Sequence, residues 1–153
     1  MVKSSILIYR DYHKPGDKVK GSVILELDSE ICANFVKISC ICNSGHSVMM
    51  GRGGASGQSK ILFDESIFPW KAENGVTKLA AGKHSFPFCF RLPDDMPDSF
   101  FMRGAGTMFT IYQVRLTIER PWRWNYTDGK RFDVEADAEQ KPMFLKRAGS
   151  GYF

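Results

Sequence analysis

Apolar and polar residues alternate in block after block of this chain, and a period of two predicts strands with one buried face. The clearest block is Leu79 to Leu92. Phe86, Phe88, Phe90 and Leu92 share one face; Pro87, Cys89 and Arg91 share the other. Pro87 has no N–H to give to a ladder, which predicts an edge, a bulge or the first residues of pairing. From Val19 to Asp28, Val19, Val23, Leu25 and Leu27 are set against Lys20, Ser22, Glu26 and Asp28. Met108 to Arg120 turns Tyr112, Val114, Leu116 and Ile118 inward. Ile31 to Asn43 groups Val36, Ile38, Cys40 and Cys42, and Arg131 to Ala136 alternates again. Ile6 to Tyr9 reads as a short strand buried on both faces.

Turn chemistry separates these blocks. Pro15-Gly16 marks a turn over Tyr12 to Asp17. Ser44 to Ser59 loses all pattern, and its Gly51–Ser59 part reads as a flexible Gly/Ser loop. Ile61 to Phe63 and Ser66 to Phe68 suggest one more short strand, with a loop from Phe68 to Gly75. Asp128-Gly129 predicts a type I′ hairpin turn closing the fold. Apolar residues nowhere recur with helical spacing over three turns, so little or no helix is expected. Seven or more short strands separated by turns predict an all-β, antiparallel β-sandwich.

At 153 residues one domain is the default. Twelve phenylalanines supply a thick core, and a net charge of +4 is too mild to mark a nucleic-acid binder. The amino-terminal apolar run is too short for a secretory signal, and no run approaches the ~20 residues that span a bilayer. Cys32, Cys40, Cys42 and Cys89 are therefore expected as free thiols in a reducing compartment, and Asn125-Tyr126-Thr127 as an unmodified acceptor triplet.

The candidate chemistry is sparse. Cys40-x-Cys42 with His46 and Cys32 offers soft ligands but not the spacing of a zinc knuckle, and buried small hydrophobes read better. His84 and Cys89, five apart on one strand, point to opposite faces and make no nucleophile–base pair. The glycines from Gly51 to Gly57 lack the Lys-Ser/Thr ending of a phosphate loop. No catalytic residue, metal or cofactor is assigned. Two surfaces remain. Lys3, Arg10, His13, Lys14 and Lys18 gather potential cations around the first strand and its turn, where a phosphate or an acidic peptide would find charge-assisted donors. Trp122, Trp124 and Tyr126, spaced by two, share a face that is either core or an exposed aromatic contact for a partner.

Specific motifs then resemble a family. Gly82-Lys83-His84-Ser85-Phe86-Pro87-Phe88-Cys89-Phe90-Arg91-Leu92-Pro93, followed by Met96-Pro97-Asp98-Ser99-Phe100, resembles the arrestin amino-terminal domain, closest to the α-arrestin (arrestin-domain-containing) branch. Tyr12-x-x-Pro15-Gly16-Asp17-x-Val19-x-Gly21-x-Val23, Tyr112-x-Val114 and Arg120-Pro121-Trp122 agree in order, so the resemblance covers about residues 6 to 136. It implies an immunoglobulin-like sandwich of the arrestin type over residues 1–137, with 138–153 an extension or linker towards an absent second arrestin domain. It implies no enzyme, but an adaptor or scaffold in trafficking, endocytosis or signalling, cytoplasmic and at the plasma membrane or endosomes. Its partners are then cytoplasmic tails of receptors or transporters, with peripheral membrane association and no nucleic acid. Ubiquitin ligases would be reached only through a longer parent chain, because the family's Pro-Pro-x-Tyr motif is absent here. In receptor-binding arrestins, basic residues of the first strand contact phosphorylated tails; the first strand here lacks their paired lysines. The alternative is a structural coat subunit of the retromer type.

Overall fold

The computed structural model describes residues 1–50, 54–74 and 76–136, with backbone alone for 49, 50 and 54–56. Among the described residues eleven strands follow in order: β1 (Val2–Ile8), β2 (Tyr12–His13), β3 (Lys18–Leu27), β4 (Ile31–Cys32), β5 (Phe35–Met50), β6 (Gly54–Lys71), β7 (Lys78–Leu79), β8 (Gly82–Arg91), β9 (Phe100–Arg103), β10 (Gly106–Glu119) and β11 (Tyr126–Val134). There is no helix among the described residues.

One sheet has the order β1-β3-β8 and the other β2-β11-β10-β5-β6, with β9 on β10; β4 and β7 pair separately. All pairings are antiparallel except β2 with β11. The all-β sandwich expected from alternation is the fold. Its core is the set of positions that alternation selects. Ile6, Ile8, Val19, Val23, Leu25, Phe88, Phe90 and Leu92 come from the first sheet. Val36, Ile38, Cys40, Cys42, Tyr112, Val114, Leu116, Ile118, Phe132 and Val134 come from the second. Each fully buried Val, Leu, Ile or Phe contributes about 1.5–3 kcal/mol of transfer free energy. Pro87 lies on β8, which is an edge of its sheet, as its missing N–H requires.

Several expectations are corrected. β1 is not buried on both faces: Ile6 and Ile8 are buried, Leu7 and Tyr9 exposed. The strand read from Ile31 to Asn43 breaks at Ala33 and Asn34, whose N–H groups go to Thr77 and Glu119 carbonyls. β5 then runs on to Met50, and the patternless stretch is a long hairpin with β6, paired from Phe35↔Lys71 to Met50↔Gly54. Of the expected flexible loop, residues 51–53 lie outside the described residues and 54–59 are strand. The signal fails there because residues 57–62 are exposed on both faces, so ladder hydrogen bonds hold them without apolar alternation. The expected loop at Phe68-Pro69 is a bulge. Val36 pairs with Trp70 and Ile38 with Ile67, so Phe68 and Pro69 stand against Lys37, where a proline needs no ladder partner. Asp128-Gly129 is not a turn: it sits in β11 opposite Leu116 and Arg115, and the chain reverses at Arg120–Asn125 instead. The extension expected at 138–153 lies outside the described residues.

Candidate functional site

The Pro-Gly-Asp motif is turn machinery. Asp17 N–H donates to the Lys14 carbonyl at 3.0 Å, and Gly16 has φ 86°. That is a type II turn, with proline fixing the second position and glycine taking the left-handed third. The Asp17 carboxylate accepts the Lys14 N–H at 2.9 Å, while Gly16 N–H and Leu92 N–H tie the turn to the end of β8. Arg10, Lys14 and Lys18 are exposed around it. Lys18 lies opposite Arg91, which adds a cation that the sequence reading missed, because register across two sheet strands has no local signal. Asp11, Asp17 and Asp94 are interspersed; Asp94 is 3.9 Å from Arg91. Lys3 is exposed but pairs opposite Glu26 towards the other end of β1, away from this group.

His13 departs from the expected role. It is 2 % exposed, edge-on to Phe132 at 5.3 Å, and its Nδ1 has no hydrogen-bond partner. Burial lowers its pKa from 6.5, with Asp17 opposing and Arg10 adding to the shift, so His13 is a neutral packing residue rather than a surface cation. Because the unfolded chain binds the proton more readily, this site leaves stability intact above pH 6.5 and removes it as pH falls below that value. Melting of wild type and His13→Leu from pH 7.5 to 5 should show wild type losing its midpoint more steeply. Parallel curves would contradict the buried neutral imidazole.

The second surface is at the other end of β1. Trp122 and Trp124 are 101 % and 91 % exposed, which settles the choice between core and surface. They do not share a strand face with Tyr126 as expected. Both lie in the Arg120–Asn125 reversal, and Trp122 has the left-handed φ of 63°. Arg120 closes the reversal by donating from Nε and Nη2 to the Trp124 carbonyl at 3.1 and 2.9 Å. Tyr126 turns inward. Ser4 donates to Asp128 at 2.6 Å and so accepts from the Tyr126 phenol at 2.6 Å, tying β1 to β11 across the two sheets. Beside the reversal lies an open groove of about 880 Å³, lined by Ile31, Cys32, Thr77, Arg120, Trp122 and Arg123 among others.

The cysteines do not form a centre. Cys40 and Cys42 are buried on the core face, and burial pushes their thiols up to about 12 and about 11, so neither supplies a thiolate near neutrality. His84 Nε2 is 2.7 Å from the Ala80 carbonyl, on the opposite face from exposed Cys89. Among the described residues no three His, Cys, Asp or Glu are placed to hold a metal ion, and no helix is long and apolar enough to cross a membrane.

Comparison with known proteins brings the fold and the motifs together. The family described as "Arrestin (or S-antigen), N-terminal domain" matches residues 8–138. Arrestin domain-containing protein 4 of Mus musculus is 30% identical over 135 residues, covering 78% of this chain and 32% of its own. Arrestin domain-containing protein 1 of Mus musculus is 32% identical over 112 residues, covering 73% and 24%. The chain thus spans a quarter to a third of the length of these curated relatives. Among solved structures, the sporulation control protein Spo0M of Bacillus subtilis superposes with a TM-score of 0.58 at 19% identity, over 90% of this chain and 50% of that one, a likeness of fold.

Proposed function

We propose, from the premise that this chain belongs to the arrestin N-terminal domain family, that it is a non-enzymatic adaptor domain binding cytoplasmic segments of membrane proteins in trafficking, endocytosis or signalling. Family membership supports the adaptor-like role. The observation carrying the site is the convergence of Arg10, Lys14, Lys18 and Arg91 on the end of the sandwich where the Pro-Gly-Asp turn is pinned to β8. Guanidinium and ammonium groups there suit an acidic or phosphorylated tail, and charge-assisted hydrogen bonds would reward it. Lys3, at the far end of β1, stands outside this patch. The domain would act on the cytoplasmic face of the plasma membrane or endosomes. A second arrestin domain and ubiquitin-ligase recruitment would belong to a longer parent chain.

Proximity labelling in cells with the chain fused to a biotinylating enzyme tests the reading. Receptors or transporters and endosomal sorting proteins should dominate, and Arg10→Glu with Lys18→Glu should remove them. In solution the same pair should weaken binding of a phosphorylated tail peptide by about tenfold or more. A coat complex indifferent to these charges would replace the adaptor reading with a structural one.

A further inference from the structure

We propose that the Arg120–Asn125 reversal is a lipid anchor, which places Trp122 and Trp124 in the headgroup layer of an anionic bilayer. The two indoles are almost wholly in water at the tip of a short reversal, and no described residue covers them. An indole offers a large apolar ring with one N–H donor, the combination that concentrates at membrane–water interfaces. The presentation is also held against a conformational cost. Trp122 keeps a left-handed backbone that a non-glycine residue rarely adopts, while Pro121 precedes it and Arg120 fastens the Trp124 carbonyl.

The charge on this end fits the same ligand. Glu30 is paired with Lys78 at 3.4 Å, and Asp28 with the Met1 ammonium at 2.7 Å. Asp128 accepts from Ser4 and from Gly129 N–H, and Glu119 accepts from Asn34 Nδ2. Arg123 is exposed beside both indoles and has no carboxylate partner among the described residues, and Arg120 faces only a carbonyl. Asp28 and Glu30 are neutralised by cations, whereas Asp128 and Glu119 are held by neutral donors and keep their charge, so what suits an anionic interface is local: the Arg123 and Arg120 guanidiniums in the same reversal as the two indoles. A peptide fits less well. A protein hot spot sits inside a ring of neighbours that exclude water, whereas Trp124 has open solvent around it and only Trp122 borders the groove.

The anchor is separate from tail recognition, since it lies at the opposite end of β1 and lipid vesicles carry no tail. The test mixes the full chain with vesicles of phosphatidylcholine alone, or of phosphatidylcholine with phosphatidylserine, in a sedimentation assay. Tryptophan emission is followed with acyl-chain-brominated lipid as quencher. Binding to the phosphatidylserine vesicles, with a blue shift and quenching, is expected. Trp122→Ala and Trp124→Ala should each lower the apparent affinity by roughly tenfold. Arg123→Gln should lower it by about fivefold on phosphatidylserine vesicles and leave phosphatidylcholine alone unchanged. Trp122→Gly, which accepts the left-handed backbone, guards against a folding artefact and should lose binding with an unchanged or raised melting midpoint. The proposal is overturned if the chain does not sediment, or if the double alanine variant sediments like wild type. It is equally overturned if a tail peptide shields the indoles while lipid does not, which would make the reversal a peptide contact.

Discussion

Gly21→Ala is expected to unseat β1 and cost the fold about 3 kcal/mol or more, beyond the usual ~1–3 kcal/mol of an overpacked core. Gly21 is buried on β3 opposite Ile8, and a Cβ there would stand 1.9 Å from the Leu7 carbonyl oxygen and 2.6 Å from the Phe88 ring. The nearer obstacle is backbone, so it cannot rotate away; the strand has to move. Moving it breaks the Tyr9 N–H to Lys20 carbonyl bond and exposes Ile6 and Ile8. A domain with ~5–15 kcal/mol in hand loses a large share of that. The thermal midpoint should fall by roughly 10 °C. Gly104→Ala, where nothing lies within 4 Å of the added carbon, is the control and should melt like wild type. If Gly21→Ala also melts like wild type, close approach of β1 is not what this glycine provides.

Tyr112 carries the second large effect, and two substitutions divide it. The ring is fully buried, its centroid 5.7 Å from that of Phe132, and its hydroxyl donates to the Pro97 carbonyl. Burial, with Cys42 beside it, pushes the phenol far above its ordinary range, so it remains a donor throughout the stable pH range. Tyr112→Ala leaves a cavity and should cost about 3–5 kcal/mol. Tyr112→Phe keeps the ring and strands the Pro97 carbonyl, at about 1–2 kcal/mol. Urea unfolding separates the two, provided the denaturant slope stays constant across the series. Equal losses in both variants would mean that the hydroxyl, not the ring, holds β10 to the Pro97 segment.

Where one face of a strand is dry, the sequence announces it. The inward residues of β3, β8 and β10 were legible because burial on one side forces period two on the residues that face it. The hairpin of β5 and β6 was not, since residues 57–62 meet water on both sides and nothing selects their hydrophobicity. Asp128-Gly129 carries the composition of a turn, but Leu116 and Arg115 pair across from it, and a continuous ladder outweighs a local preference. His13 misled for a related reason. Its sequence neighbours Arg10, Asp11 and Lys14 are charged, whereas the ring that packs on it, Phe132, comes from β11. The exposure of Trp122 and Trp124 was equally hidden, because their spacing implies a shared strand face only where the strand continues. Of the candidate patch, Arg10, Lys14 and Lys18 were readable as a local run; Arg91 became its member only through register.

The tie from Ser4 to Tyr126 and Asp128 spans 122 and 124 residues and sets an order of events during synthesis. β1 can pair with β3 soon after Leu27 leaves the ribosome, but its cross-sheet partners emerge only with β11. At ordinary elongation speeds the delay is roughly ten seconds. Throughout it, Ile6, Val23 and Phe90 line a half-built layer whose opposite sheet is still missing β10 and β11. A nascent chain in that state is a client for a chaperone. Ribosomes halted upstream of Asp128 should accumulate it, while those halted with β11 fully emerged should carry a domain already resistant to protease.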